Sequence, residues 1–159
     1  ARNRMPAILV DTNILVDAFT GNPIWGAASA AALESLADRA TLVINPIIYA
    51  ELSSGVATME ALNNFLGSEF RRDSLPWEAA FLAGKAYSQC RRRGGVKTSP
   101  LSDFFIGAHA AVMQMQILTR DPKRYSAYFP TVALISPISF IFPISPISPI
   151  SPYPLHRTP

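Results

Sequence analysis

The sequence predicts an α/β domain around a mostly parallel central sheet, and three observations predict it. Short, continuous apolar runs occur at Ala7–Val10, Thr41–Ile44 and 117–119. They are too short for helices and suit strands buried on both faces. Longer segments with helical composition and helix-capping residues separate them, as in a chain that alternates strand and helix. Acidic residues stand where apolar runs end: Asp11 follows the first run and Asp121 follows 117–119. In parallel sheets, ligands gather beyond the carboxyl ends of the strands.

Taken in order, the first strand runs directly into Asp11-Thr12-Asn13. A short helix over 14–19 is stopped by Gly21-Asn22-Pro23, and the alanine- and leucine-rich stretch 24–40 forms a second helix. After the strand Thr41–Ile44, Asn45 followed by Pro46 starts a helix, with an amide at the N-cap and proline at the first position. That helix carries Glu51 and ends at Gly55. Thr58 caps a helix to Leu66 that Gly67 closes, and 69–72 reads as a short, more polar strand. A long helix follows Pro76 to Arg93, with Trp77, Ala80, Phe81, Gly84 and Tyr87 at helical spacing on its expected core face. Gly94-Gly95 closes it. Residues 100–102 open a helix over 103–115, the strand 117–119 ends at Arg120-Asp121-Pro122, and 132–135 forms the last strand.

Composition narrows the chemistry. A hydrophobic fraction of 49% is ample for one core. The single Cys90 excludes an internal disulfide and any zinc site built from cysteines, and the two histidines cannot supply a multi-histidine site. No stretch is apolar for the roughly 18 residues of a membrane helix. The apolar run after Met5 meets Asp11 too early for a signal-peptide core, and a single cysteine fits a reducing cytoplasm as the expected location; Met5 and an upstream residue are both open as the natural start. A net charge of +3 and a pI near 9.3 permit an anionic partner.

Asp11, Glu51, Asp103 and Asp121 form the candidate site. The carboxyl ends of parallel strands and the starts of the helices share one edge, where all four can converge. Singly, three have ordinary explanations: Asp11 as a helix cap, Asp103 as a partner of the helix dipole, Asp121-Pro122 as a turn. Glu51 is harder to explain, because its segment is otherwise apolar and an unpaired carboxylate there is costly. Two carboxylates about 4 Å apart repel by roughly 4 kcal/mol at an effective dielectric near 20. A converging quartet therefore stays partly protonated or is neutralised by a cation. Hard carboxylates without histidine or cysteine favour Mg2+ or Mn2+. Such an ion can hold a phosphodiester oxygen, activate water and steady the leaving oxygen. Thr12, Asn13 and Thr119 are placed to orient the carboxylates, or to serve as ordinary caps.

Taken together, these segments resemble the PIN-domain family. Val-Asp-Thr-Asn-Ile-Leu-Val-Asp at 10–17 is similar to its opening motif, and Ala-Glu-Leu at 50–52 to its second. Leu-Ser-Asp-Phe-Phe-Ile-Gly-Ala-His-Ala at 101–110 is similar to the third and Leu-Thr-Arg-Asp-Pro-Lys-Arg-Tyr at 118–125 to the fourth. Order and spacing agree, over about residues 5–137. The strongest likeness is to VapC-type toxins of bacterial toxin–antitoxin pairs. The resemblance implies a three-layer α/β/α domain, Mg2+- or Mn2+-dependent RNA cleavage with Asp11, Glu51, Asp103 and Asp121 as metal ligands, a homodimer, and a cognate antitoxin that blocks the site.

For the RNA backbone, Arg120, Lys123 and Arg124 bracket Asp121, and Lys97 is a further candidate; Arg91, Arg92 and Arg93 complement a helix end. Tyr125, Tyr128, Phe104 and Phe105 are candidates for base stacking, the phenylalanines more readily for the core. After Pro137 the composition changes to Ile-Ser-Pro repeats. The chain thus divides into a nuclease-like domain over 1–137 and an extended, polyproline-like tail over 138–159. Rival readings are a non-catalytic RNA- or protein-binding module and a phosphohydrolase with an aspartyl nucleophile. The latter commonly needs a second aspartate where Asn13 stands.

Overall fold

The computed structural model describes residues 4–94 and 100–141. Its centre is a five-stranded sheet of β1 (Ala7–Val10), β2 (Thr41–Ile44), β3 (Arg71–Arg72), β4 (Gln116–Leu118) and β5 (Leu134–Ile135) in the order β3-β2-β1-β4-β5. Every pairing is parallel. Consecutive residues of the central strands, among them Leu9, Val10, Leu42, Val43, Ile117 and Leu118, are buried. Side chains alternate between faces along a strand, so burial without alternation means that both faces are covered. Helices α1 (Thr12–Thr20), α2 (Gly26–Ala37), α3 (Pro46–Ser53), α4 (Met59–Leu66), α5 (Trp77–Arg92), α6 (Leu101–Met113) and the short α7 (Lys123–Ser126) flank the sheet.

The winding decides where a site can form. From β1 the chain steps outward to β2 and β3, then returns across the sheet to β4 and β5 on the other side. The order reverses between β1 and β4, and the loops leaving that pair diverge to open a crevice at their carboxyl ends. Asp11 leaves β1 into this crevice while its backbone N–H still bonds the Leu118 carbonyl, at 3.0 Å. Residues 119–121 leave β4 beside it. Helix α6 runs back toward the start of β4, so its first turn lies at the same edge.

Several expectations shift. Helix α2 starts at Gly26 because the Asn22 side chain accepts hydrogen bonds from the backbone of Ile24 and Trp25 and holds them in a turn. Helix α3 ends at Ser53, two residues before Gly55. The polar strand shrinks to Arg71–Arg72, the last strand to Leu134–Ile135, and α7 was not foreseen.

The clearest correction concerns α5. Trp77 and Phe81, expected in the core, are 88% and 69% exposed; Gly84 is exposed too, and Ala80 and Tyr87 are half-buried. The buried stripe is Ala79, Ala83, Ala86 and Cys90. Small residues at this spacing let α5 lie close along α6, and larger side chains would hold the helices apart. Tyr87 packs its edge on Phe104, with ring centroids 5.5 Å apart.

Residues Pro137–Phe140 form a 3-10 turn rather than the start of an extended tail. Pro137 is buried and Phe140 packs on the core with Arg39 over its ring. The Ile-Ser-Pro repeats beyond 141 lie outside the described residues.

Candidate metal centre

Asp11 stands at the N-cap of α1, yet its side chain makes no capping bond. It turns instead to three side chains. Thr119 and Tyr125 each donate a hydroxyl to Oδ2 at 2.8 Å, and Asn13 donates its amide at 3.3 Å. None of these bonds uses Oδ1. Burial pushes the Asp11 carboxyl above its ordinary range, the Thr119 and Tyr125 hydroxyls oppose that, and the neighbouring Glu51 raises it further. Thr119 Oγ1 also accepts the Asp121 backbone N–H at 3.0 Å, which ties the loop after β4 to the carboxylate after β1.

Asp103 lies in the first turn of α6 and is buried. Burial raises its carboxyl to about 6; Arg124 opposes this, and Asp11, Glu51 and Asp121 add to it. These mutual effects place the four acids in one electrostatic neighbourhood. Glu51 comes from α3, whose start is fixed by Asn45: its Oδ1 accepts the backbone N–H of Ile47 and Ile48, each at 3.0 Å. The Asn45 amide in turn meets His109 Nδ1 at 3.0 Å, clasping α3 to α6 inside the core. Burial keeps His109 neutral by lowering its pKa, so Nδ1 accepts and Nε2 carries the proton. Glu51 Oε1 is buried with no hydrogen-bond partner.

Among the described residues, no three His, Cys, Asp or Glu side chains are drawn tightly enough to enclose a metal ion. The cation beside the acids is Arg124. Its Nε donates to Asp121 Oδ2 at 2.8 Å, and its Nη1 lies 3.5 Å from Asp103 Oδ1. The residues nevertheless fit a hard divalent ion. A buried carboxylate oxygen without a partner, beside two carboxyls that burial makes reluctant to ionise, is a site short of positive charge.

The other candidates divide. Asn13 and Thr119 hold Asp11 as expected, but Thr12 Oγ1 is buried without a partner and bonds no carboxylate. Arg120, expected at the RNA backbone, directs Nη1 to both carboxylate oxygens of the buried Asp17, at 2.8 and 3.0 Å. Lys123 is exposed, and Lys97 lies outside the described residues. Tyr125 is fully buried and cannot stack on a base; its hydroxyl, held protonated first by burial and then by Asp11, is committed to that carboxylate. Tyr128 is half-buried against the Phe104 ring, 5.3 Å between centroids, and Phe104 is in the core. Sequence reasoning missed Asp17, although a carboxylate within an apolar helix gives the same signal that singled out Glu51. Nothing in the sequence marked Tyr125 as a partner of Asp11.

The PIN domain family model matches residues 8–130. Among solved structures, the VapBC2 complex of Rickettsia felis bound to a DNA fragment from its promoter is similar at 23% identity and a TM-score of 0.65, over 82% of this chain and 98% of that one. VapBC-1 of nontypeable Haemophilus influenzae gives 19% identity and a TM-score of 0.64, over 83% and 98%. FitAcB of Neisseria gonorrhoeae gives 23% and 0.62, over 82% and 98%. No curated protein matches the chain in sequence.

Proposed function

The chain belongs to the PIN-domain family, and from that premise we propose that it is a divalent-metal-dependent ribonuclease, the toxin of a toxin–antitoxin pair. What supports this reading is that Asp11, Glu51 and Asp121 each act electrostatically on the buried Asp103, with a buried Glu51 oxygen that no protein donor satisfies. These four carboxylates would hold Mg2+ or Mn2+. When bound, the ion supplies activation of water and stabilisation of charge on the phosphate. The chain's own residues do the rest. Thr119, Asn13 and Tyr125 fix Asp11 through Oδ2, and none of them takes up Oδ1. The Asn45 cap sets the start of the helix that carries Glu51. Lys123, Arg124 and Lys97 attract the RNA backbone without reading its sequence. Arg120 contributes by fixing the loop to α1 through Asp17.

The likeness to the VapBC complexes supports an antitoxin partner for this chain; a homodimer and a cytoplasmic location are part of the same proposal. No helix among the described residues is long and apolar enough to cross a membrane. The nuclease chemistry is assigned to the folded domain, which includes the turn Pro137–Phe140 packed on its core, with the Ile-Ser-Pro repeats beyond 141 outside it.

A non-catalytic binding module is the second reading, favoured by one observation: Arg124 already occupies Asp103 and Asp121. Cleavage separates the two. Purified protein is incubated with a panel of structured RNAs in Mn2+, Mg2+ or chelator, beside an Asp11→Asn variant checked for folding. We expect cleavage with metal only, and none from Asp11→Asn. Full activity in chelator, or in the folded variant, would defeat the mechanism.

A further inference from the structure

We propose that Arg124 is a built-in counter-ion of the acidic site: its guanidinium bridges Asp103 and Asp121 when no metal is bound and gives up both carboxylates when a divalent cation is held there. The inference rests on the metal reading above and deepens it.

Three observations support it. First, the arginine engages two acids from separate elements, Asp121 in the loop after β4 and Asp103 at the start of α6. It therefore holds together carboxylates that would otherwise repel one another, which is the work a metal does in a loaded site. Second, the contacts use Asp121 Oδ2 and Asp103 Oδ1, and both acids are among the four carboxylates that would hold a hard cation. A divalent ion bound to the same two carboxylates would lie close to the guanidinium, and like-charge repulsion sets the two against each other. Third, the side chain can leave at little cost. Its backbone is anchored in α7 next to the buried Tyr125, but the side chain itself is 45% exposed. Only side-chain torsions need to change, and the departing guanidinium enters water at the mouth of the same crevice. There it is the positive group best placed to meet a phosphate, with planar donors matched to its oxygens.

The consequence is that metal and arginine compete. Charge neutralisation by Arg124 stabilises the metal-free protein, and metal binding releases a cation toward the substrate. Calorimetric titration of Mn2+ into the wild type, Arg124→Ala and Arg124→Lys tests this, together with the melting temperature of each without metal. Arg124→Ala should bind Mn2+ roughly three- to tenfold more tightly, the range expected from removing two partly exposed ion pairs. Its metal-free form should melt lower. Arg124→Lys keeps the charge but not the fork and should fall between. A purely structural role would lower the melting temperature without tightening Mn2+. Mn2+ affinity in Arg124→Ala that is equal to or weaker than in the wild type overturns the proposal. If neither the wild type nor Arg124→Ala binds Mn2+, the metal reading itself fails, a different result from equal binding by both.

Discussion

At the residue scale, the site is governed by the cost of burying negative charge. Asp11 and Asp103 are buried, and their carboxyls are pushed up because burial outweighs the hydrogen bonds and the arginine beside them. The pH dependence follows. The Asp103 carboxyl is raised from 3.8 to about 6 in the folded protein, so the folded state holds a proton that the unfolded state has released. Its contribution is most favourable below pH 4 and is lost as pH rises from about 4 to about 6. Metal-free protein, unfolded with urea across this window, should show a downward term in stability that Asp103→Asn removes. An unchanged slope in the variant would assign the term elsewhere. This scale was the least legible in the sequence. The acids could be picked out because a carboxylate in an apolar segment is anomalous, as with Glu51. Their partners could not: Tyr125 and Thr119 reach Asp11 across more than a hundred residues of chain, and only the fold sets such distances.

At the scale of elements, strand and helix identity was legible and the facing of helices less so. The three apolar runs became β1, β2 and β4, and Asn45-Pro46 and Thr58 start α3 and α4 as capping chemistry requires. Helix α5 was misread because large aromatic residues suggest a core face, whereas its buried stripe is alanine and cysteine. Close packing against α6 selects for small volume, a constraint that belongs to the pair of helices. The same economy of space recurs at Gly107 on α6. A Cβ there would come 2.3 Å from the ring of the buried Phe129. Gly107→Ala should therefore destabilise the domain by about 1–3 kcal/mol despite alanine's better helix propensity, measured by denaturant unfolding. A stabilised variant would mean that the ring moves aside freely. Because α6 carries Asp103, the strain should also loosen the site.

At the scale of the whole molecule, the position of the site follows from the winding of the sheet. The reversal between β1 and β4 opens one crevice, where Asp11 after β1 and Thr119 after β4 are joined by a hydrogen bond and Arg124 links Asp121 to Asp103 at the start of α6. That general location was legible, because alternating strands and helices imply a parallel sheet and acids stood at strand ends. The role of Arg124 was not, since an arginine three residues after an aspartate reads equally well as an RNA contact. The central claim is that carboxylates distant in sequence form one divalent-cation site. Glu51 tests it best, being the acid with an unsatisfied buried oxygen and the one contributed by a helix that adjoins neither β1 nor β4 in the chain. The decisive measurement is Mn2+ affinity in the wild type and in Glu51→Gln, with folding of both verified by circular dichroism. Saturable binding by the wild type, weakened by at least about tenfold in the variant, is the predicted result. Equal affinity in the two proteins would contradict it.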